Sequence, residues 1–128
     1  MLRFVIALPL IGHGLAHISG VLAAWTSFDV GFQDSPWIFT SGVRLSGGIG
    51  RVFGLIWLLA LIALAGSGVG LILRQAWWPN LALLGSVLSL VAIVPWWKSV
   101  PPGAKVGAAS DVLLVIVLAT PVRETLLD

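Results

Sequence analysis

Four long apolar stretches recur along the chain, at residues 4–25, 52–73, 79–96 and 106–121, and most polar residues fall between them. A helix needs about 20 apolar residues to cross a hydrocarbon core about 30 Å thick. The pattern predicts an all-α integral membrane protein, a bundle of four transmembrane helices with one longer loop between helices 1 and 2. Residues 4–25 carry no formal charge when His13 and His17 are neutral. Those histidines, Pro9 and the bulky Trp25 after Ala23-Ala24 do not suit a cleaved leader, so this segment reads as a retained span. Arg51 and Arg74 flank the second span and can snorkel to headgroups. Trp77-Trp78 and Trp96-Trp97 frame the third. At 1.5 Å per residue, residues 79–96 measure about 27 Å, which predicts an upright helix with Trp78 and Trp96 at opposite interfaces. The fourth span is shorter and carries Asp111.

The connection at residues 26–50 has a turn signal in Asp34-Ser35-Pro36-Trp37 and a glycine-rich end. Two placements fit its aromatic residues Phe28, Phe32, Trp37 and Phe39: dipping into the membrane interface, or packing over the bundle mouth. Gly47-Gly48-Ile49-Gly50 lacks the preceding strand and the lysine of a phosphate loop, which excludes a nucleotide site there.

Composition reinforces the membrane reading. The 128 residues are 59% hydrophobic and 9% charged, against about 25% charged in a soluble domain. No shift in composition divides them, so residues 1–128 read as a single transmembrane domain with the lipid bilayer as its partner. Seven Lys/Arg against five Asp/Glu leave a formal charge of +2, too little to point to nucleic acid. Without cysteine there is no disulfide framework and no thiolate chemistry. An even number of spans puts both termini on one side. Arg3, Arg74 and Arg123 lie there, facing Arg44, Arg51, Lys98 and Lys105 across the membrane. The acidic-tinged first loop favours the outside, giving a multi-pass protein with cytoplasmic termini.

Small residues one turn apart mark packing seams: Gly12, Ala16 and Gly20 on helix 1, Gly66 and Gly70 on helix 2, Gly85 and Ser89 on helix 3, Gly103 and Gly107 on helix 4. They serve association within the bundle or between copies in a homo-oligomer.

Ionisable groups at bilayer depth are costly and face a bundle interior or a wet cavity. His13 and His17, at i and i+4, share one helix face near the middle of the first span. His17 lies about 12 Å and Asp111 about 8 Å from the same membrane face, so the two can meet. Arg51, where helix 2 begins, is the available cationic partner for Asp111. Two imidazoles and a carboxylate can supply three ligands to a divalent metal, and either imidazole can bind haem axially. On one helix face they cannot clamp one haem from both sides. The same trio can pass protons, or can simply satisfy one another and nearby carbonyls.

His13-Gly14-Leu15-Ala16-His17, Phe53-Gly54-Leu55-Ile56-Trp57-Leu58, Trp77-Trp78 and Ala104-Lys105-Val106-Gly107 together resemble a group of small four-span bacterial membrane proteins with a His-Gly-x-x-His motif in the first helix. The resemblance covers most of the chain outside the first loop and implies an architecture rather than a mechanism. Relatives that carry Asn in place of Asp111 imply that this position asks for a hydrogen-bonding group. The residues and the resemblance lead to a binding or accessory module that holds a small ligand or cofactor at an intramembrane polar site, or serves as a small subunit of a membrane complex. Proton-coupled transport or membrane-embedded catalysis by a His/Asp site is the alternative. No charge ring or filter marks an ion channel.

Overall fold

Proline and glycine set where several helices begin. The computed structural model describes residues 1–121, 123 and 124, and its helices are α1 (Leu2–Ala16), α2 (Ile18–Trp25), α3 (Gly48–Ile72), α4 (Trp78–Ile93, extended by a 3-10 turn at Val94–Trp96) and α5 (Pro102–Ala119). Pro79 and Pro102 sit in the first turns of α4 and α5, where a missing N–H costs nothing and a fixed φ favours the helix. Because Pro102 can start a helix, α5 begins four residues before the hydropathic edge at residue 106. Likewise α3 starts at Gly48, so the first loop is shorter than the sequence implied. Helices α1 and α2 run on as one span, and four helices are long and apolar enough to cross a membrane. The molecule is a four-helix membrane bundle, and the described residues contain no strand.

The closest-packed pairs are α3 with α4, α1 and α2 with α3, and α4 with α5. Two apolar clusters fill the interior. On the loop side Trp57, Ile93, Trp96 and Ala108 pack with Ala24 and Leu45. On the terminal side Leu10, Leu64, Trp78, Ala82 and Leu118 pack together. The outward faces carry Leu8, Leu15, Leu55, Leu59, Leu84 and Leu113, an exterior suited to hydrocarbon.

The first loop lies over the bundle mouth. Gln33 N donates to Ser99 O at 2.8 Å, Ile38 N to Pro95 O at 2.9 Å, and Ser99 Oγ to Ser35 O at 2.8 Å. Trp37 stacks obliquely on Trp96, and Phe32 meets Trp57 edge-on. Only Phe28 and Phe39 of the loop aromatics remain exposed.

The tryptophan pairs and the seam on helix 1 are turned differently from the expectation. Trp78 and Trp96, at the two ends of the third span, are packed inside the protein, 7% and 0% exposed, whereas their neighbours Trp77 and Trp97 are 47% and 41% exposed. Adjacent helical residues point about 100° apart, so each pair divides between core and exterior. The seam on helix 1 is also rotated. Gly12 and Ala16 are exposed, and the buried face runs through Ala7, Leu10, Gly14, His17 and Gly20. A Cβ on Gly14 would stand 2.5 Å from Ala65 N, and one on Gly20 would fall within the Trp57 ring. Those two glycines let the first span lie directly on α3.

Candidate functional site

The junction of α1 and α2 is chemical in origin. In a regular helix the residue-17 amide bonds the residue-13 carbonyl. Here the imidazole of His17 takes that carbonyl, with Nδ1 2.8 Å from His13 O. The displaced His17 amide donates to Gly14 O at 3.1 Å, and this shorter i−3 bond tightens the turn. The ring is thereby held with Nε2 facing the bundle interior.

Three helical spans then converge on it. His17 Nε2 lies 2.6 Å from Ser89 Oγ on α4. The same hydroxyl lies 2.5 Å from Asp111 Oδ2 on α5. Asp111 Oδ1 is 2.8 Å from His13 Nε2, which closes the cluster back on the first span. Asp111 and Ser89 are wholly buried and His17 nearly so, while the His13 side chain keeps 18% of its surface exposed. The two imidazoles meet edge to face, centroids 4.9 Å apart. Gly107, one turn before Asp111, makes the approach feasible, since a Cβ there would stand 2.8 Å from His13 Cε1.

The structure thus brings together His13, His17 and Asp111, but not Arg51. Arg51 stands exposed in the first turn of α3 with its guanidinium carbon 5.7 Å above the Trp25 ring, and its carbonyl accepts the Trp25 indole N–H at 2.9 Å. The cost of desolvating a guanidinium keeps it at the membrane edge, and the carboxyl of Asp111 is bonded by His13 and Ser89 instead. The direct partner of Asp111 is His13 rather than His17, because the His17 ring is tied by Nδ1 to the His13 carbonyl and by Nε2 to Ser89 Oγ, so that Ser89 stands between it and Asp111. Ser89 was legible only as a small seam residue; its hydroxyl is the link between His17 and Asp111.

No family model, curated protein or solved structure matches this chain. What the site can do follows from its own atoms.

A carbonyl only accepts, so His17 Nδ1 carries a proton wherever this contact is made. Net charge in hydrocarbon is expensive, which favours a neutral cluster. Within that count, two proton arrangements satisfy every contact. In one, protonated Asp111 donates from Oδ2 to Ser89, and Ser89 donates to His17 Nε2. In the other, Asp111 is a carboxylate, Ser89 donates to it, and an imidazolium His17 donates to Ser89. They differ only by proton shifts through the Ser89 hydroxyl. In both, His13 Nε2–H donates to Asp111 Oδ1, and His13 Nδ1 keeps a free lone pair. Any other neutral arrangement sets two lone pairs, or two protons, against each other.

A cavity of about 230 Å³ lies beside His13, between the first span and the start of α5, with Phe32, Trp57, Ile93, Pro101, Ala16 and Ala104 among its walls. It is too small to enclose a haem, since even drug-sized ligands take about 300–1,000 Å³. One donor atom from each of His13, His17 and Asp111 lies within 4.8 Å of the others. Ligand atoms around a tetrahedral zinc sit about 3.4 Å apart, from bonds of about 2.1 Å. Coordination would require the three to close up and Ser89 to give up its bonds between His17 and Asp111. The observed donor set is a closed hydrogen-bond network rather than an open coordination sphere.

Proposed function

We propose that this protein is an intramembrane binding module that holds one small ligand against His13, acting alone or as a small subunit of a membrane complex. The observation that carries this reading is His13 itself. Every other polar side-chain atom of the cluster has a partner within it, or in the His13 carbonyl. His13 Nδ1 has none among the described residues, and its ring borders the cavity. A satisfied network around one unpartnered nitrogen holds that nitrogen in place, as a binding site requires. The apolar walls suit a ligand that partitions into lipid. We place the module in a prokaryotic inner membrane with both termini cytoplasmic. The four-span pattern, the resemblance and the acidic-tinged first loop support that placement.

A proton-handling role is the second reading, favoured by the two equivalent proton arrangements of Asp111, Ser89 and His17. Against transport stands the terminal half of the core, where Leu10, Leu64, Trp78, Ala82 and Leu118 pack with the buried hydroxyls of Ser67 and Ser86 and no buried histidine or carboxyl group lies there among the described residues.

Titrating toluene into the isotope-labelled protein in micelles tests the binding reading. Saturable shifts at His13, Trp57 and Ala104, abolished by Ala16→Leu, are expected. Unsaturable shifts spread over lipid-facing Leu113 and Val87 would contradict it.

A further inference from the structure

The proton count of the cluster specifies the chemistry of the ligand, and this inference rests on the binding reading above. We propose that the cavity takes a small lipophilic hydroxyl compound, a monocyclic phenol or comparable alcohol, whose O–H donates to His13 Nδ1.

The size follows from the space. A dry cavity of about 150 Å³ is enough for benzene, so 230 Å³ holds one substituted ring and little more. The walls provide a matching environment: the edge-to-face pair Phe32 and Trp57, with ring centroids 5.7 Å apart, and the aliphatic Ile93 and Pro101. Aromatic rings favour such edge and face contacts.

The polarity follows from the hydrogen bonds. Asp111 Oδ1 accepts from His13 Nε2 in both satisfied arrangements of the neutral cluster, so the opposite ring nitrogen is an acceptor in both. Moving a proton to Nδ1 would make Asp111 donate to Nε2 and leave the Ser89 contacts with His17 and Asp111 one proton short. The wholly buried Ser89 and Asp111 thereby fix the tautomer of a ring that is itself reachable. A ligand carrying a donor gains a hydrogen bond at this nitrogen; one of the same shape without a donor leaves it bare.

Phenol, anisole and toluene share the ring and differ in the donor. Their dissociation constants, referred to the free aqueous concentration and corrected for partition into an empty micelle, can be read from shifts at His13, Gly107 and Trp57. Phenol should bind about three- to tenfold more tightly than anisole or toluene, the value of one net hydrogen bond, and should move the His13 Nδ1 resonance. His13→Gln retains an N–H for Asp111 but has no acceptor at the Nδ1 position, and should bind toluene as before while losing the phenol preference. Equal binding of the three ligands to the unmodified protein would overturn the donor assignment and leave the binding module standing. Saturable binding by none of them would overturn both.

Discussion

Ser89 Oγ stands 2.5 Å from Asp111 Oδ2 while the same oxygen lies 2.6 Å from His17 Nε2. A serine hydroxyl has one proton, so it donates to one of these neighbours and accepts from the other. The direction of that single bond decides whether the buried pair is neutral Asp111 with neutral His17 or a carboxylate with an imidazolium. Either way the cluster as a whole is neutral, which reconciles three ionisable side chains with a place inside hydrocarbon.

The carboxylic-acid arrangement has an exact structural mimic in asparagine. An amide N–H can donate to Ser89 and the amide oxygen can accept from His13 Nε2–H, so Asp111→Asn preserves every contact of that arrangement. Thermal unfolding in micelles should show a change below about 1 kcal/mol for Asp111→Asn. Asp111→Ala should lose about 1–3 kcal/mol for each stranded polar group. Equal damage from the two substitutions would mean that the charge of Asp111 is indispensable.

Coupling between His17 and Asp111 passes through Ser89. In a double-mutant cycle, His17→Ala and Asp111→Ala should couple by about 0.5–3 kcal/mol. Repeating the cycle on a Ser89→Ala background should reduce the coupling towards zero. A coupling unchanged by removal of the hydroxyl would show that the two side chains act on each other by another route.

The two small-residue faces of the first span should respond differently. Gly14→Ala drives a Cβ towards the Ala65 backbone and should destabilise the bundle by about 1–3 kcal/mol. Ala16 is exposed beside the cavity, so Ala16→Leu should alter stability by no more than about 0.5 kcal/mol while blocking ligand entry. The reverse order of stabilities would return Ala16 to a helix contact.

Tryptophan depth offers a test of the fold. With single-tryptophan variants in lipid vesicles, quenchers attached to lipid should reach Trp77 and Trp97 and leave Trp78 and Trp96 largely shielded, as their exposures require. Equal quenching within either pair would contradict the helix rotation.

The four spans were legible because hydrocarbon demands long apolar helices, and no other soluble pattern competes at 59% hydrophobic residues. That His13, His17 and Asp111 belong inside the bundle was legible for the same reason: each is costly facing lipid. Their pairing was not. Depth follows from helix position, whereas the pairing is set by where the rings turn: His17, tied by Nδ1 to the His13 carbonyl, meets Ser89, and His13 Nε2 is left as the direct contact of Asp111. Ser89 was hidden because serine one turn from Gly85 reads equally as a small packing residue or a hydrogen-bonding one. The face of helix 1 was misread for a related reason. The stripe of Gly12, Ala16 and Gly20 is as regular as the one through Gly14, and only the contact with Ala65 distinguishes them.

The central claim, a neutral four-residue network that fixes the His13 tautomer, is most directly tested by nitrogen-15 magnetic resonance of the two imidazoles in the membrane-embedded protein, with carbon-13 in the Asp111 carboxyl. His13 should be protonated on Nε2 with a bare Nδ1, His17 should carry a proton on Nδ1, and a through-space correlation should join His13 Nε2 to the Asp111 carboxyl carbon. A His13 ring protonated on Nδ1, or no correlation between that ring and Asp111, would contradict that claim.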